Sequence, residues 1–515
     1  MIRLSGELVG KIDRTSELYR KLNEANSRLA KKDPSLWGEA AKAEASIRLN
    51  WVDLPETSRD LLPQLDALSA KFRGRDVILC GMGGSSLAPE VIAGTFKKPL
   101  FVFDLTDPNY AAHAIKRDLK NCVIVVSSKS GSTIETAAQR AVMEGALLAE
   151  GLDPKAHLIF ITDPESPLDK EVRASGYLVV NADANVGGRF SALTAFGLVP
   201  AALIGVDPSL LLDSAAAQRT ELENPENAAI DLAYLLFTQS EQFVAFADAP
   251  GLPGLSDWIE QLIAESTGKD GKGRLPVVLS NSFDTIGSTG SIGSIGSKVP
   301  ISISFADGGD LQVHGELGEH FITWEWATAL LGVALEVDPF NQPNVTEAKN
   351  ATSALLTEWN NKLPDLKFGQ KIGAIEVSNS SVKEELEKLI KDSAGYIAIL
   401  AYLDRRDDVE LVELRELLAQ KSGKPVTFGW GPRFQHSTGQ FHKAGQPNGS
   451  FLIITADVEE DFQIPGREFS MQTLVMAQAL GEERALTARK YPVSRVHLHN
   501  RVIGISELIK AAKAL

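Results

Sequence analysis

Within SSKSGSTIET (residues 127–136), directly after the apolar run Val123–Val126, four hydroxyl side chains, Ser128, Ser130, Ser132 and Thr133, surround a lysine and a glycine. A turn this rich in neutral donors, opening onto a helix-forming stretch, offers Ser128, Ser130, Thr133 and the free amides of a first helical turn to an oxyanion such as phosphate. Lys129 adds charge or positions the backbone. An ordinary helix cap with spare serines uses the same residue types. A second turn of this kind, GMGGSSLAPE (81–90), follows the apolar run DVILC. Its Gly81, Gly83 and Gly84 let the backbone turn tightly and come close to a ligand, and Ser85 and Ser86 stand where a helix should begin. The spacing is not a dinucleotide fingerprint, because position 86 is serine where that pattern needs glycine. Two such turns in one domain favour a sugar-phosphate pocket.

Three further stretches carry chemistry. In NVGGRFSALTAFG (185–197), Arg189 follows two glycines at the start of an apolar helix, which suits a guanidinium facing a ligand as well as a structural ion pair. In EQLIAESTGKDGKG (260–273), Gln261 and Glu265 are four apart and so share a helical face, ahead of a glycine-rich turn. GPRFQHSTGQFHKAG (431–445) holds His436 and His442, two of only eight histidines. Six residues apart, they do not form a metal pair of the i, i+4 type. No Cys/His/Asp set along the chain shows metal-ligand spacing, so the expectation is no metal, no cofactor and a metal-independent reaction.

The elements that must position these groups read as α/β. Residues 1–65 are polar and helical, broken near Pro55. From 66 to 215 the apolar runs DVILC, LFVFDL, CVIVVSS, HLIFIT and YLVVN alternate with helical spacing, implying a parallel sheet covered on both faces. Residues 227–246 read as helical. LPVVLS, VPISISF, YIAILAYL, PVTFGW and SFLIITAD then place a second domain of the same class over 216–515. GSTGSIGSIGS (287–297) lacks the Gly-Lys-Ser/Thr of a nucleotide loop and reads as a flexible connection. A net charge of −15 argues against nucleic-acid or anionic-membrane partners. Cys80 and Cys122 sit in apolar runs and read as core residues of a reducing compartment. With no apolar leader at the start of the chain, a cytoplasmic protein is expected.

GMGGSSLAPEV, SSKSGSTIET, GGRFSALTAFGL, EQLIAESTGKDGKG and DPFNQPNVTEAK, in this order, resemble the motifs of the glucose-6-phosphate isomerase family, built from two sugar-isomerase (SIS) domains. The likeness runs over about residues 35–500 and is nearest the isomerase half of actinobacterial-type bifunctional transaldolase/phosphoglucose isomerases. Residues 1–65 are too few for a transaldolase barrel, so no such half is expected.

The resemblance implies two doubly wound, flavodoxin-like SIS domains after an N-terminal helical segment. It puts Gly84, Ser85, Ser128, Ser130 and Thr133 at a sugar phosphate, with Lys129 acting through its backbone. It makes Glu265 the proton-shuttling base, Arg189 the stabiliser of the enediolate and Gln261 a nearby contact. Gln342 becomes a phosphate-side ligand, Lys349 an aid to ring opening, and Glu135 the carboxylate that orients that lysine. The family's ring-opening histidine lies between the base and the glutamine–lysine motif, and nothing there matches. FQHSTGQFHKAG matches but follows Lys349, leaving His436 or, failing it, His442. The resemblance further implies a homodimer that borrows this histidine from the neighbouring subunit. A dual phosphoglucose/phosphomannose isomerase, or a non-catalytic sensor of sugar phosphates, shares the same loops.

Overall fold

In the computed structural model the described residues are 1–279 and 301–515; the GSTGSIGSIGS connection falls outside them. Strand β1 (Arg3–Ser5) leads into helices that run to Lys71. They are anchored on the fully buried helix Leu317–Leu335: Trp326 Nε1 donates to Asn26 Oδ1 at 2.7 Å, and Trp37 Nε1 to the Ala329 carbonyl at 2.9 Å.

The next five strands, β2 (Asp76–Gly81), β3 (Phe101–Phe103), β4 (Cys122–Ser127), β5 (Leu158–Thr162) and β6 (Leu178–Asn181), form an all-parallel sheet in the order β3-β2-β4-β5-β6. Counted within the sheet this is 2-1-3-4-5, the flavodoxin-like winding. Successive side chains alternate between two cores. Val77, Leu79, Val123, Val125, Ile159 and Ile161 face the N-terminal helices, while Ile78, Cys80, Ile124, Val126, Leu158 and Phe160 pack on the other side. Burial on both faces explains the unbroken hydrophobicity of these runs, each large side chain contributing about 1.5–3 kcal/mol.

Residues 216–515, expected as one α/β domain, distribute their strands over two sheets. The helix expected to reach 246 stops at Thr238, and FVAFA forms β7 (Phe243–Ala247). A five-residue apolar run has no periodicity long enough to separate strand from helix. With β8 (Leu275–Val278), β9 (Ser302–Ser304) and β10 (Leu311–His314), it builds a sheet of order β1-β10-β9-β7-β8, parallel except where β1 pairs with β10. The last sheet holds β11 (Gln370–Ile372), β12 (Ile375–Val377), β13 (Tyr396–Ala401), β14 (Val426–Trp430), β15 (Gly449–Ala456) and β16 (Val493–Leu498). Its order is β11-β12-β16-β15-β13-β14. The four strands from β16 to β14 are parallel, and β12 and β11 add an antiparallel edge. The parallel part repeats the 2-1-3-4 winding of the first sheet. The chain is thus α/β, with two doubly wound parallel sheets, an N-terminal helical segment and a third, five-stranded sheet built from β1 and β7 to β10.

Candidate active site

In a doubly wound sheet, ligands bind beyond the carboxyl ends of the strands where the winding reverses. In the first sheet that point lies between β2 and β4, whose ends carry the two glycine/serine turns. Gly81 and Ser127 are paired there. The first turn folds as a short 3-10 helix, Gly83–Ser85, with Gly83 at φ 57°. A Cβ on Gly84 would stand 1.9 Å from the Gly188 carbonyl, and one on Gly83 2.9 Å from both Gln261 Nε2 and the His436 carbonyl. These glycines let the strand end pass against the Arg189 loop and the His436 segment. The second turn leaves its hydroxyls largely free. Ser128 Oγ accepts from the Gly131 amide (3.2 Å), Ser130 and Ser132 share a 2.7 Å hydrogen bond, and Thr133 caps the helix Ile134–Ala149 without a side-chain bond of its own. Lys129 turns its ammonium onto Asp163 (2.8 Å) and the Ala184 carbonyl (3.0 Å), so its charge is tethered beside the turn.

Opposite these turns, the helix Leu255–Thr267 presents Gln261 and Glu265, both buried. Glu265 Oε1 pairs with Arg189 Nη1 at 3.1 Å and Oε2 accepts from Gln261 Nε2 at 3.1 Å. Arg189 is fixed on every side: Nε donates to Ser266 Oγ (2.8 Å), Nη1 to Gln342 Oε1 (3.3 Å), and Nη2 to the Pro339 and Asn341 carbonyls. Burial lowers its pKa, with Glu265 and Asp338 opposing the shift; a guanidinium keeps its charge throughout. Lys269 bonds to the Asp338 carbonyl, and Asp338 Oδ1 accepts from the Phe340 amide, bracing the segment that delivers Gln342.

His436 closes the cavity from the turn after β14. Its carbonyl accepts from Gln261 Nε2 at 2.7 Å, and its Nε2 lies 3.3 Å from Glu135 Oε1. The same Glu135 oxygen accepts from Gln478 Nε2 at 2.8 Å. Burial pushes the Glu135 carboxyl up, but the charge and hydrogen bond of His436, with Lys349 adding its charge, outweigh it and hold the group below its ordinary value.

All the site residues expected from sequence except Glu135 line one cavity of about 290 Å³: Gly84, Ser85, Ser128, Lys129, Ser130, Thr133, Arg189, Gln261, Glu265, Gln342, Lys349 and His436. That size suits one small ligand. Glu135 stands directly behind His436. His442 does not reach the cavity. It is buried in the core with Nδ1 2.9 Å from the Tyr396 hydroxyl, and burial pushes its pKa down to about 3. The borrowed histidine is corrected as well, because His436 enters the cavity of its own chain. Sequence reading passed over Ser127 and Thr136, which also line the cavity and whose buried hydroxyls have no hydrogen-bond partner. Their signal was present in SSKSGSTIET, where both ends of the motif carry a hydroxyl. The metal scan by sequence spacing also fell short: Asp457, His497 and His499 come together away from the cavity, as do His113, Asp404 and Asp407. Chemically, the cavity can seat a phosphate at one end and exchange a proton with a carboxylate beside a fixed cation at the other.

No protein-family model matches the chain. Among curated proteins it is similar to the glucose-6-phosphate isomerase of Thermus thermophilus, 33% identical over 242 residues, covering 45% of this chain and 58% of the relative. The Rubrobacter xylanophilus glucose-6-phosphate isomerase is 34% identical over 252 residues (43% and 57%), and that of Methanocaldococcus jannaschii 30% over 264 residues (46% and 65%). The matched part is thus less than two thirds of the length of these relatives. Among solved structures, a glucose-6-phosphate isomerase from Chlamydia trachomatis shares the fold, with a TM-score of 0.55 at 19% identity over 71% of this chain and 90% of that one. Among the described residues no helix is long and apolar enough to cross a membrane.

Proposed function

We propose that the chain is a glucose-6-phosphate isomerase of the SIS type, interconverting D-glucose 6-phosphate and D-fructose 6-phosphate through an enediolate. The observation that carries this reading is the single cavity in which Glu265, ion-paired to Arg189, faces the two hydroxyl-rich turns. The phosphate is held by Ser85, Ser128, Ser130, Thr133 and the free amides around them. Its binding energy fixes C1 and C2 against Glu265. His436, steadied by Glu135, and Lys349 open the pyranose ring by taking the proton of the C1 hydroxyl and returning one to the ring oxygen. Glu265 then removes the C2 proton of the open aldose and delivers it to C1, while a proton passes from O2 to O1. The fixed charge of Arg189 stabilises the enediolate formed between these steps. One carboxylate handing one proton between adjacent carbons needs no redox partner.

The homodimer and the cytoplasmic location belong to the same proposal; the first rests on the resemblance, the second on Cys80 and Cys122, both buried and unpaired. Light scattering of the purified protein tests the dimer. A coupled assay supplied with fructose 6-phosphate, and separately with mannose 6-phosphate, tests the activity and its epimer preference. Formation of glucose 6-phosphate, abolished by Glu265→Gln, is the expected result; binding of both sugars without turnover of either sinks the enzymatic reading in favour of a sensor.

A further inference from the structure

The carboxyl edges of the two doubly wound sheets carry opposite chemistry. In the first, glycines and hydroxyls follow β2 and β4. In the second, Asp457 follows β15, and His497 and His499 sit at and just past the end of β16. His497 Nε2 lies 3.0 Å from Asp457 Oδ1, and His499 Nδ1 lies 3.0 Å from Asp457 Oδ2, so two imidazoles converge on one carboxylate. The far nitrogen of each ring is also held. His497 Nδ1 is 2.8 Å from Thr455 Oγ1, and His499 Nε2 is 3.2 Å from Glu376 Oε2. Glu376 is itself fixed through its other oxygen, which accepts from the Phe368 and Gly369 amides at 2.7 and 2.9 Å. Strand pairing sets this up, because Thr455 and Glu376 are the cross-strand neighbours of His497 on either side.

We propose that Asp457, His497 and His499 form a binding site for a divalent transition-metal ion of the zinc class. A tetrahedral site with bonds of about 2.0–2.1 Å separates its ligand atoms by roughly 3.3 Å. The nitrogens and oxygens here already stand 3.0 Å apart across each pair. Outer contacts from Thr455 and Glu376 are the second layer that orients metal-bound imidazoles. Charge argues the same way. His499 lies between two carboxylates, Asp457 and Glu376. Arg501 reaches the Asp457 carbonyl while its amino groups are committed to Asp107 and Asp408, and Lys116 pairs with Glu460 further along the loop, so neither cation is bonded to the Asp457 carboxylate. A dication between Asp457 and the two rings balances that pair of acids. Asp457 is exposed and His499 half-buried, which leaves the fourth position to water. Two nitrogens and one carboxylate suit zinc, cobalt or nickel better than calcium or magnesium. The ion would tie the ends of β15 and β16 to the antiparallel edge, away from the isomerase cavity.

Metal-stripped full-length protein is dialysed against Zn²⁺ alone, the bound metal is counted, and the thermal midpoint is recorded; Co²⁺ replaces zinc for the visible spectrum. One Zn²⁺ per chain, a raised midpoint and an intense low-symmetry cobalt spectrum are expected. Asp457→Asn and His499→Ala, both at the accessible side of the cluster, lose the bound ion. Glu376→Gln weakens it about 10–100-fold, as loss of an outer contact does, and His113→Ala leaves it unchanged. No stoichiometric zinc in the unsubstituted chain, or undiminished zinc in both Asp457→Asn and His499→Ala, overturns the proposal. Loss in His113→Ala instead also overturns it, by moving the ion to the other cluster.

Discussion

Glu325 lies in the middle of the helix Leu317–Leu335, every residue of which is buried. It has no solvent exposure, and neither carboxyl oxygen has a hydrogen-bond partner. Burial alone raises its pKa well above the ordinary value. The folded chain therefore holds this proton to a higher pH than the unfolded chain, which releases it above about pH 4.3. Its stabilising contribution is complete below the unfolded pKa and is lost as pH rises towards the folded one. Over that window the slope is about 1.4 kcal/mol per pH unit. Glu325→Gln keeps the shape and abolishes the slope, at a cost of about 1–3 kcal/mol for an amide left without partners. The variant should be no more stable than the parent near the unfolded pKa and gain on it steadily as pH rises towards the folded one. Glu260 titrates in the same direction, so only the difference between the two proteins isolates Glu325. Unfolding in guanidinium with the released protons titrated at constant pH gives that difference without assuming a two-state transition. Above the unfolded pKa and below the folded one, the parent should release more protons than the variant, up to one per chain; equal counts at every pH refute a raised Glu325 pKa.

Glu265→Gln should retain sugar-phosphate binding by calorimetry and lose about 10²–10⁴-fold in kcat, the usual worth of a positioned acid–base group. Ser128→Ala combined with Thr133→Ala should raise KM about 10–100-fold and lower kcat less, as expected for two lost donors to an anion. Co-expressed, separately tagged Glu265→Gln and His436→Ala chains should show no recovery of activity in any mixed assembly, because each chain carries one defect in its own cavity. Recovery to about half of the unsubstituted rate would instead mean that His436 crosses between subunits. His436→Ala should slow turnover of cyclic substrate far more than His442→Phe, since only His436 lines the cavity.

The phosphate turns were legible because their chemistry is local. Strand, glycine turn and helix start lie within ten residues, and a glycine that a side chain would drive into a neighbouring carbonyl at 1.9 Å leaves its mark in the sequence itself. Gln261 and Glu265 were legible for a similar reason, a shared helical face. The histidine was legible as a residue but not as a location. The family resemblance suggested a second subunit, whereas the turn after β14 folds back so that the His436 carbonyl meets Gln261. The third sheet was legible only in part: LPVVLS and VPISISF mark β8 and β9, but strands of three to five residues such as β1, β7 and β10 carry too little periodicity and need partners from far along the chain. Asp457 and His497 were missed on the same grounds: forty residues separate them, and only the β15–β16 register makes them neighbours.

The cavity divides its work by origin. Its phosphate end belongs to one sheet, the turns after β2 and β4, and would exist in any chain that folded that unit. The reacting end does not. Glu265 comes from a helix before β8, Arg189 from the loop after β6, Gln342 and Lys349 from the segment after the buried helix, and His436 from the last sheet. Gln261 joins these sources, donating at once to Glu265 and to the His436 carbonyl. The Gly83–Gly84 turn lies between them, close enough to Gly188 and His436 that no side chain fits. A turn that in isolation only binds an anion is thereby pressed against the groups that act on what the anion carries. Under the proposed function, binding energy gained at the phosphate would reach C1 and C2 through short, rigid contacts, which is the condition for its appearing in kcat as well as in KM.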